Sequence, residues 1–137
     1  MKKTKKYLYY KNRHSCFLLQ YHLVLITKYR HPVLTDDIDV YFKQYTQQYF
    51  HEHDLNILEI NTNKDHVHIL FEAPPQINLA NFVNAYKTAS SRKLQNTFNE
   101  KLSFYYWKPY FWSESYFICS VSETNTSVVQ NYIQNQK

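Results

Sequence analysis

With 137 residues, 44% of them hydrophobic and 20% charged, the chain is long enough for one hydrophobic core and too apolar for disorder, and it reads as a single domain over 1–137. No apolar run approaches the roughly eighteen residues that a membrane-spanning helix needs, which points to a soluble, cytoplasmic protein rather than a membrane one. The net charge of +5 is uneven: half of the sixteen Lys and Arg precede the first acid, Asp36, and a second acid-free stretch from Ala73 to Asn99 carries Lys87, Arg92 and Lys93, a distribution suited to phosphates.

Residues 1–14 read as a basic, mobile opening segment without a signal-peptide cleavage site. Residues 16–27, rich in apolar and β-branched types, predict a first strand that ends at the turn Lys28-Tyr-Arg-His-Pro32. Thr35 caps a helix running to about His53, with Asp36 and Asp37 in its first turn and Ile38, Phe42, Tyr45 and Tyr49 as its apolar stripe. Leu55–Asn61 and His66–Glu72 form a hairpin across Thr62–Asp65. Asn78 caps a second helix with Phe82, Val83, Tyr86, Leu94 and Phe98 inward, while Lys87, Ser90, Ser91, Arg92 and Lys93 lie mostly toward solvent. Phe104–Trp112 packs seven aromatics around one lysine, a composition that suits core cover and a dimer contact or the stacking of unpaired bases. Tyr116–Val121 is a fourth strand, and Thr126 opens a last helix from Ser127 to about Gln136 with Val129, Tyr132 and Ile133 as bulky positions. The order β-α-β-β-α-β is that of an α+β, ferredoxin-like (RRM-like) antiparallel sheet, here with an added C-terminal helix.

Two cysteines, Cys16 and Cys119, sit in separate strand-like runs without metal-type spacing, which predicts reduced, buried thiols rather than a disulfide. Glycine is absent where average usage predicts about ten residues. Asn63, Asn78 and Asn125 are the natural substitutes at left-handed turn positions.

The stretch Asp65-His-Val-His-Ile-Leu-Phe71 carries the most chemistry. On a strand, residues two apart share a face about 6–7 Å apart, so His66 and His68 can converge on one ion while Val67, Ile69 and Phe71 meet the helices. The imidazoles then emerge on the opposite sheet face, free for a ligand or for the last helix. The same spacing also fits two ordinary satisfied histidines. His51-Glu52-His53 repeats it at a helix end, where the two rings point apart, and that pair stays unassigned. In the last helix, spacing of four puts Tyr132 and Gln136 on one face, a pattern that core packing explains equally well.

Taken together, Lys28-Tyr-Arg-His-Pro, Asp65-His-Val-His-Ile-Leu, Ala73-Pro-Pro, Lys87-Thr-Ala-Ser-Ser-Arg92, Trp112-Ser-Glu-Ser-Tyr-Phe117 and Tyr132-Ile-Gln-Asn-Gln136 resemble, over nearly the whole chain, the small HUH single-tyrosine insertion-sequence transposases of the IS200/IS605 type. The resemblance implies a bacterial or archaeal enzyme, nucleoid-associated when acting, that cuts and rejoins single-stranded DNA at hairpin ends of a mobile element. It implies Tyr132 as nucleophile, forming a 5′-phosphotyrosine, and a metal held by His66, His68 and Gln136, with Mg²⁺ or Mn²⁺ suiting that donor set. Lys28, Arg30, Lys87, Ser90, Ser91 and Arg92 match its DNA-contacting positions. A homodimer is expected, since exchange needs two cut ends, and no nucleotide cofactor is. Two departures stand out: residues Cys119 and Ser122 occupy positions where the family has glycine, and the chain stops one residue after Gln136. An impaired relative that only binds single-stranded or hairpin nucleic acid, and a metal nuclease using water, are the competing readings.

Overall fold

In the computed structural model the described residues are 10–11, 15–121 and 125–135. In chain order the elements are β1 (Tyr10–Lys11), β2 (Cys16–Phe17), β3 (Gln20–Ile26), α1 (Asp36–Glu52), β4 (Asn56–Asn63), β5 (His66–Glu72), α2 (Leu79–Thr97), the one-turn α3 (Asn99–Leu102), β6 (Phe117–Ser120) and α4 (Asn125–Asn135). The main sheet has strand order β4-β5-β3-β6, and every neighbouring pair is antiparallel. This is the expected ferredoxin-like arrangement with its extra helix. Of the basic segment 1–14, Tyr10 and Lys11 are described and pair with β2 as a separate two-stranded sheet. The strand expected over 16–27 therefore divides, because Phe17 turns away to stack on Tyr10 at 5.4 Å while Gln20 onward joins the main sheet.

Strand alternation sends Leu23 and Leu25 of β3 and Val67, Ile69 and Phe71 of β5 to the face covered by α1 and α2, where all five are fully buried. From α2 come Phe82, Val83, Tyr86 and Leu94, as expected. From α1 the buried positions are Ile38, Phe42, Thr46 and Phe50, not the stripe through Tyr45 and Tyr49. Thr46 is tolerated inside because its hydroxyl bonds the Tyr86 phenol at 2.6 Å, and the two tyrosines flank the core instead.

Caps follow chemistry only in part. Asn78 Oδ1 accepts from the Asn81 amide at 3.1 Å, as expected. Thr35 occupies its cap position without a side-chain bond, and Asp37 Oδ1 accepts from the Ile38 amide instead. Among the described residues the left-handed positions include Tyr29, Arg30, Asp36 and Asp54, and Asn63 and Asn78 are not among them, while Asn125 adjoins residues outside the described ones. Asp54 ends α1: its amide reaches His51 O at 3.0 Å and the Leu55 amide reaches Phe50 O at 2.9 Å, the paired bonds of a helix stop usually closed by glycine.

The aromatic segment covers the core only in part. Tyr106, Phe111 and Trp112 are buried, whereas Phe104 and Trp107 are 88% and 79% exposed. Both cysteines are free, but neither is fully buried: Cys16 is exposed, since β2 lies outside the main sheet, and Cys119 is half-buried. Among the described residues no helix is long and apolar enough to cross a membrane.

Candidate active site

The second face of the sheet is divided by its register. Val24 of β3 lies opposite His68 and Phe117, Ile26 lies opposite His66, and His22 lies opposite Leu70 and Cys119. Val24 and Ile26 are buried beneath Val129 of α4, with Phe117, Cys119, Tyr132 and Ile133 packed around them. The last helix thus covers the β3–β6 half, and the imidazoles of β5 line its border. The Cys119 side chain, at a position where the resemblance has glycine, fills space within this cluster; Ser122 lies outside the described residues.

Tyr132 packs within the covered half. Its ring packs on Phe117 at 4.9 Å, and among the described residues its hydroxyl is buried without a hydrogen-bond partner. A buried polar oxygen left in that state calls for a reason, because such groups are nearly always paired.

The two histidines are held differently. His66 Nδ1 lies 2.9 Å from Asp65 Oδ1, so the carboxylate fixes the tautomer that leaves the Nε2 lone pair free. Burial pushes the Asp65 carboxyl up, but hydrogen bonds from His66 and Arg30 outweigh it and hold the group below its ordinary value. His68 Nε2 meets His22 Nδ1 at 2.8 Å, with the rings stacked 5.0 Å apart. When His68 donates in this pair, its Nδ1 is the free ligand atom. Burial, and next the neighbouring His22, lower the His68 pKa, which favours the neutral, metal-ligating imidazole.

Two imidazoles on one face, one of them backed by a carboxylate, are donors whose chemistry suits a divalent ion, and the phenol oxygen, unpartnered among the described residues, lies on the same sheet face. A third donor is required. Among the described residues no cluster of three or more His, Cys, Asp and Glu supplies it, and Gln136, the expected third ligand, lies outside them.

The expected basic positions are scattered more than the sequence implied. Lys87, Ser91 and Arg92 line a groove of about 520 Å³ between α2 and the 109–114 segment, with Gln95, Tyr110 and Glu114. The Lys87 amine donates to the carbonyls of Ser113 and Glu114, both at 2.8 Å, and burial lowers its pKa. Ser90 does not face solvent: it is fully buried and accepts a 2.9 Å bond from the Trp112 indole. The Lys28 ammonium lies over the rings of Tyr29 and Tyr110, at 5.2 and 5.0 Å. Arg30 turns toward the histidine face, where Nε donates to Asp65 Oδ2 at 3.0 Å and Nη1 to the carbonyl of Ile133 at 2.8 Å. Sequence reasoning passed over His22, although the alternation in Tyr21-His-Leu-Val-Leu already placed it on the polar face with Val24.

A family model described as "Transposase IS200 like" matches residues 15–136. The chain is 34% identical over 129 residues to the ISDra2 transposase TnpA of Deinococcus radiodurans, covering 92% of this chain and 89% of that relative. It is 29% identical over 123 residues to a Salmonella typhimurium transposase for the insertion sequence element IS200, covering 90% and 80%. A crystal structure of a candidate transposase from Deinococcus radiodurans superposes with a TM-score of 0.84 at 34% identity, covering 93% of this chain and 97% of that one. A match over nearly all of both sequence and fold places the chain in the family of IS200-like transposases, enzymes of DNA transposition.

Proposed function

We propose that the chain cleaves and rejoins single-stranded DNA at the ends of its mobile element, with Tyr132 as nucleophile. The phenol oxygen attacks the scissile phosphorus, the bond from phosphorus to the 3′ oxygen breaks, and the leaving strand takes a proton to become a 3′-hydroxyl. The 5′-phosphotyrosine keeps the phosphodiester's bond energy, so a later attack by another 3′-hydroxyl restores a DNA linkage and frees the phenol without ATP. His66 and His68, with Gln136, are the residues that would hold Mg²⁺ or Mn²⁺. Such an ion offsets the charge that grows on the phosphate and favours the phenolate, since a free phenol ionises only near pH 10. Asp65 and His22 orient the two imidazoles. Lys87, Ser91 and Arg92 offer a basic groove to the DNA backbone, with Lys28 near its aromatic end, while Ser90 is left out because it is buried in the fold. Hairpins at the element ends and a twofold dimer complete the reading: two cut ends must be held together, and each chain supplies one such tyrosine.

The observation that carries this reading is the buried Tyr132 hydroxyl, without a partner among the described residues, on the same sheet face as the two histidines. Incubation with single-stranded element DNA and Mn²⁺ should give a covalent species on a denaturing gel. Tyr132→Phe should abolish it and leave hairpin binding intact. Persistence of the adduct in that variant removes Tyr132 from its role, and binding without any adduct from the unaltered protein supports a binding-only relative.

A further inference from the structure

One continuous run of hydrogen bonds joins His66 to the tyrosine helix. The Asp65 carboxylate uses both oxygens, Oδ1 toward His66 Nδ1 at 2.9 Å and Oδ2 toward Arg30 Nε at 3.0 Å. The other arm of the Arg30 fork, Nη1, donates to the carbonyl of Ile133 at 2.8 Å. That carbonyl lies two residues before Asn135, the last described residue of α4. Arg30 therefore holds the helix backbone from a different element, one residue beyond Tyr132.

The backbone is bent to make this contact. Tyr29 and Arg30 have φ of 58° and 52°, a conformation that non-glycine residues keep only where their surroundings impose it. The surroundings do so: the Lys28 amide donates to Phe111 O at 2.8 Å, Tyr106 Oη donates to Lys28 O at 2.8 Å, and Thr27 Oγ1 donates to His31 O at 2.8 Å. Both charged side chains are shielded, Arg30 being 24% and Asp65 18% exposed, so the ion pair works in a weakened dielectric rather than in open solvent.

We propose that Asp65 and Arg30 form a latch that docks the tyrosine helix on the sheet and ties its position to the orientation of His66. Arg30 is a positioning residue in this scheme, acting on Tyr132 through the neighbouring carbonyl, and Asp65 serves imidazole and guanidinium at once. The scheme rests on the reading of Tyr132 as nucleophile for its catalytic consequence, though not for the docking itself.

Amide hydrogen exchange on the full chain, free of DNA and divalent ions, tests the docking. Arg30→Ala should speed exchange in residues 129–135 at least tenfold while β5 and α2 keep their protection. Arg30→Lys should fall between, because a single ammonium lacks the fixed fork that reaches two acceptors. The single-turnover rate of adduct formation should drop with hairpin affinity held within twofold. Unchanged exchange in α4 for both variants overturns the latch, as does protection lost equally across the fold. Weaker hairpin binding with α4 unaltered also overturns it and assigns Arg30 to DNA. An adduct that survives Tyr132→Phe sinks the nucleophile assignment alone, leaving the exchange result to decide the latch.

Discussion

Ser90→Ala separates a residue of the core from a residue of the DNA surface. Ser90 is 0% exposed and Trp112 7%, and the indole N–H donates to Ser90 Oγ at 2.9 Å. Alanine keeps nearly all of the volume and removes the acceptor along with a long 3.3 Å bond that Ser90 Oγ donates to Lys87 O, so the dominant cost is a buried N–H left without a partner, about 2 kcal/mol. At this chain length such a loss lowers the melting temperature by roughly 6–8 °C. Thermal unfolding followed by circular dichroism reads that shift, and a binding titration well below the transition, at fixed salt, should show DNA affinity within twofold of the unaltered protein. Ser91→Ala, on the groove side of the same helix, is the control and should barely move the transition. If Ser90→Ala left the melting temperature unchanged and weakened DNA binding fivefold or more, the buried role assigned to Ser90 would be wrong.

Arg92→Ala should weaken DNA binding to a similar degree across sequences and reduce the slope of log affinity against log salt by about 1, measured by titration at several salt concentrations. Phe71→Ala, on the core face of the strand that bears the histidines, should cost about 3–5 kcal/mol in denaturant unfolding, because the ring is fully buried against Phe50 and Phe82. The Tyr10 phenol is pushed up to about 12 by burial and by its 2.5 Å bond to the buried Glu72. The folded state thus keeps a proton that the unfolded chain releases near pH 10, so this group's stabilisation is complete below pH 10 and is lost as pH rises toward 12. Tyr10→Phe should flatten that part of the alkaline fall in unfolding midpoint. Asp54→Gly should be more stable than Asp54→Ala by about 1 kcal/mol, since both lose the side chain and only alanine pays the left-handed cost; equal midpoints would refute the strained helix stop.

What the sequence made legible was periodic. The bounds of β5, the inward set Val67, Ile69 and Phe71 and the outward pair His66 and His68 all follow from alternation, and the Asn78 cap follows from a local bond. What it hid depends on partners distant along the chain. Thr46 is buried because Tyr86, forty residues on, supplies a hydroxyl, and Ser90 because Trp112, twenty-two residues on, supplies an indole. A helical wheel ranks both as solvent-facing, since it scores polarity and cannot see a satisfied hydrogen bond. The His22–His68 pair, forty-six residues apart, needed the register of β3 on β5, which no periodicity fixes. Arg30 was picked out by its loop motif, but its bonds to Asp65 and to α4 depend on the bend at Tyr29, which the motif does not reveal.

That register also explains why core and site stand or fall together. With Val24 opposite His68 and Ile26 opposite His66, each imidazole has as its neighbour an apolar side chain that α4 covers. A one-residue slip of β5 would turn both histidines into the aromatic core and expose Val67, Ile69 and Phe71. The hydrophobic face on α1 and α2 therefore selects the pairing that brings out the imidazoles, and the apolar half of the opposite face selects where α4 rests. Tyr132 packs in that covered half, its ring on Phe117 and its hydroxyl buried, on the sheet face that carries both imidazoles.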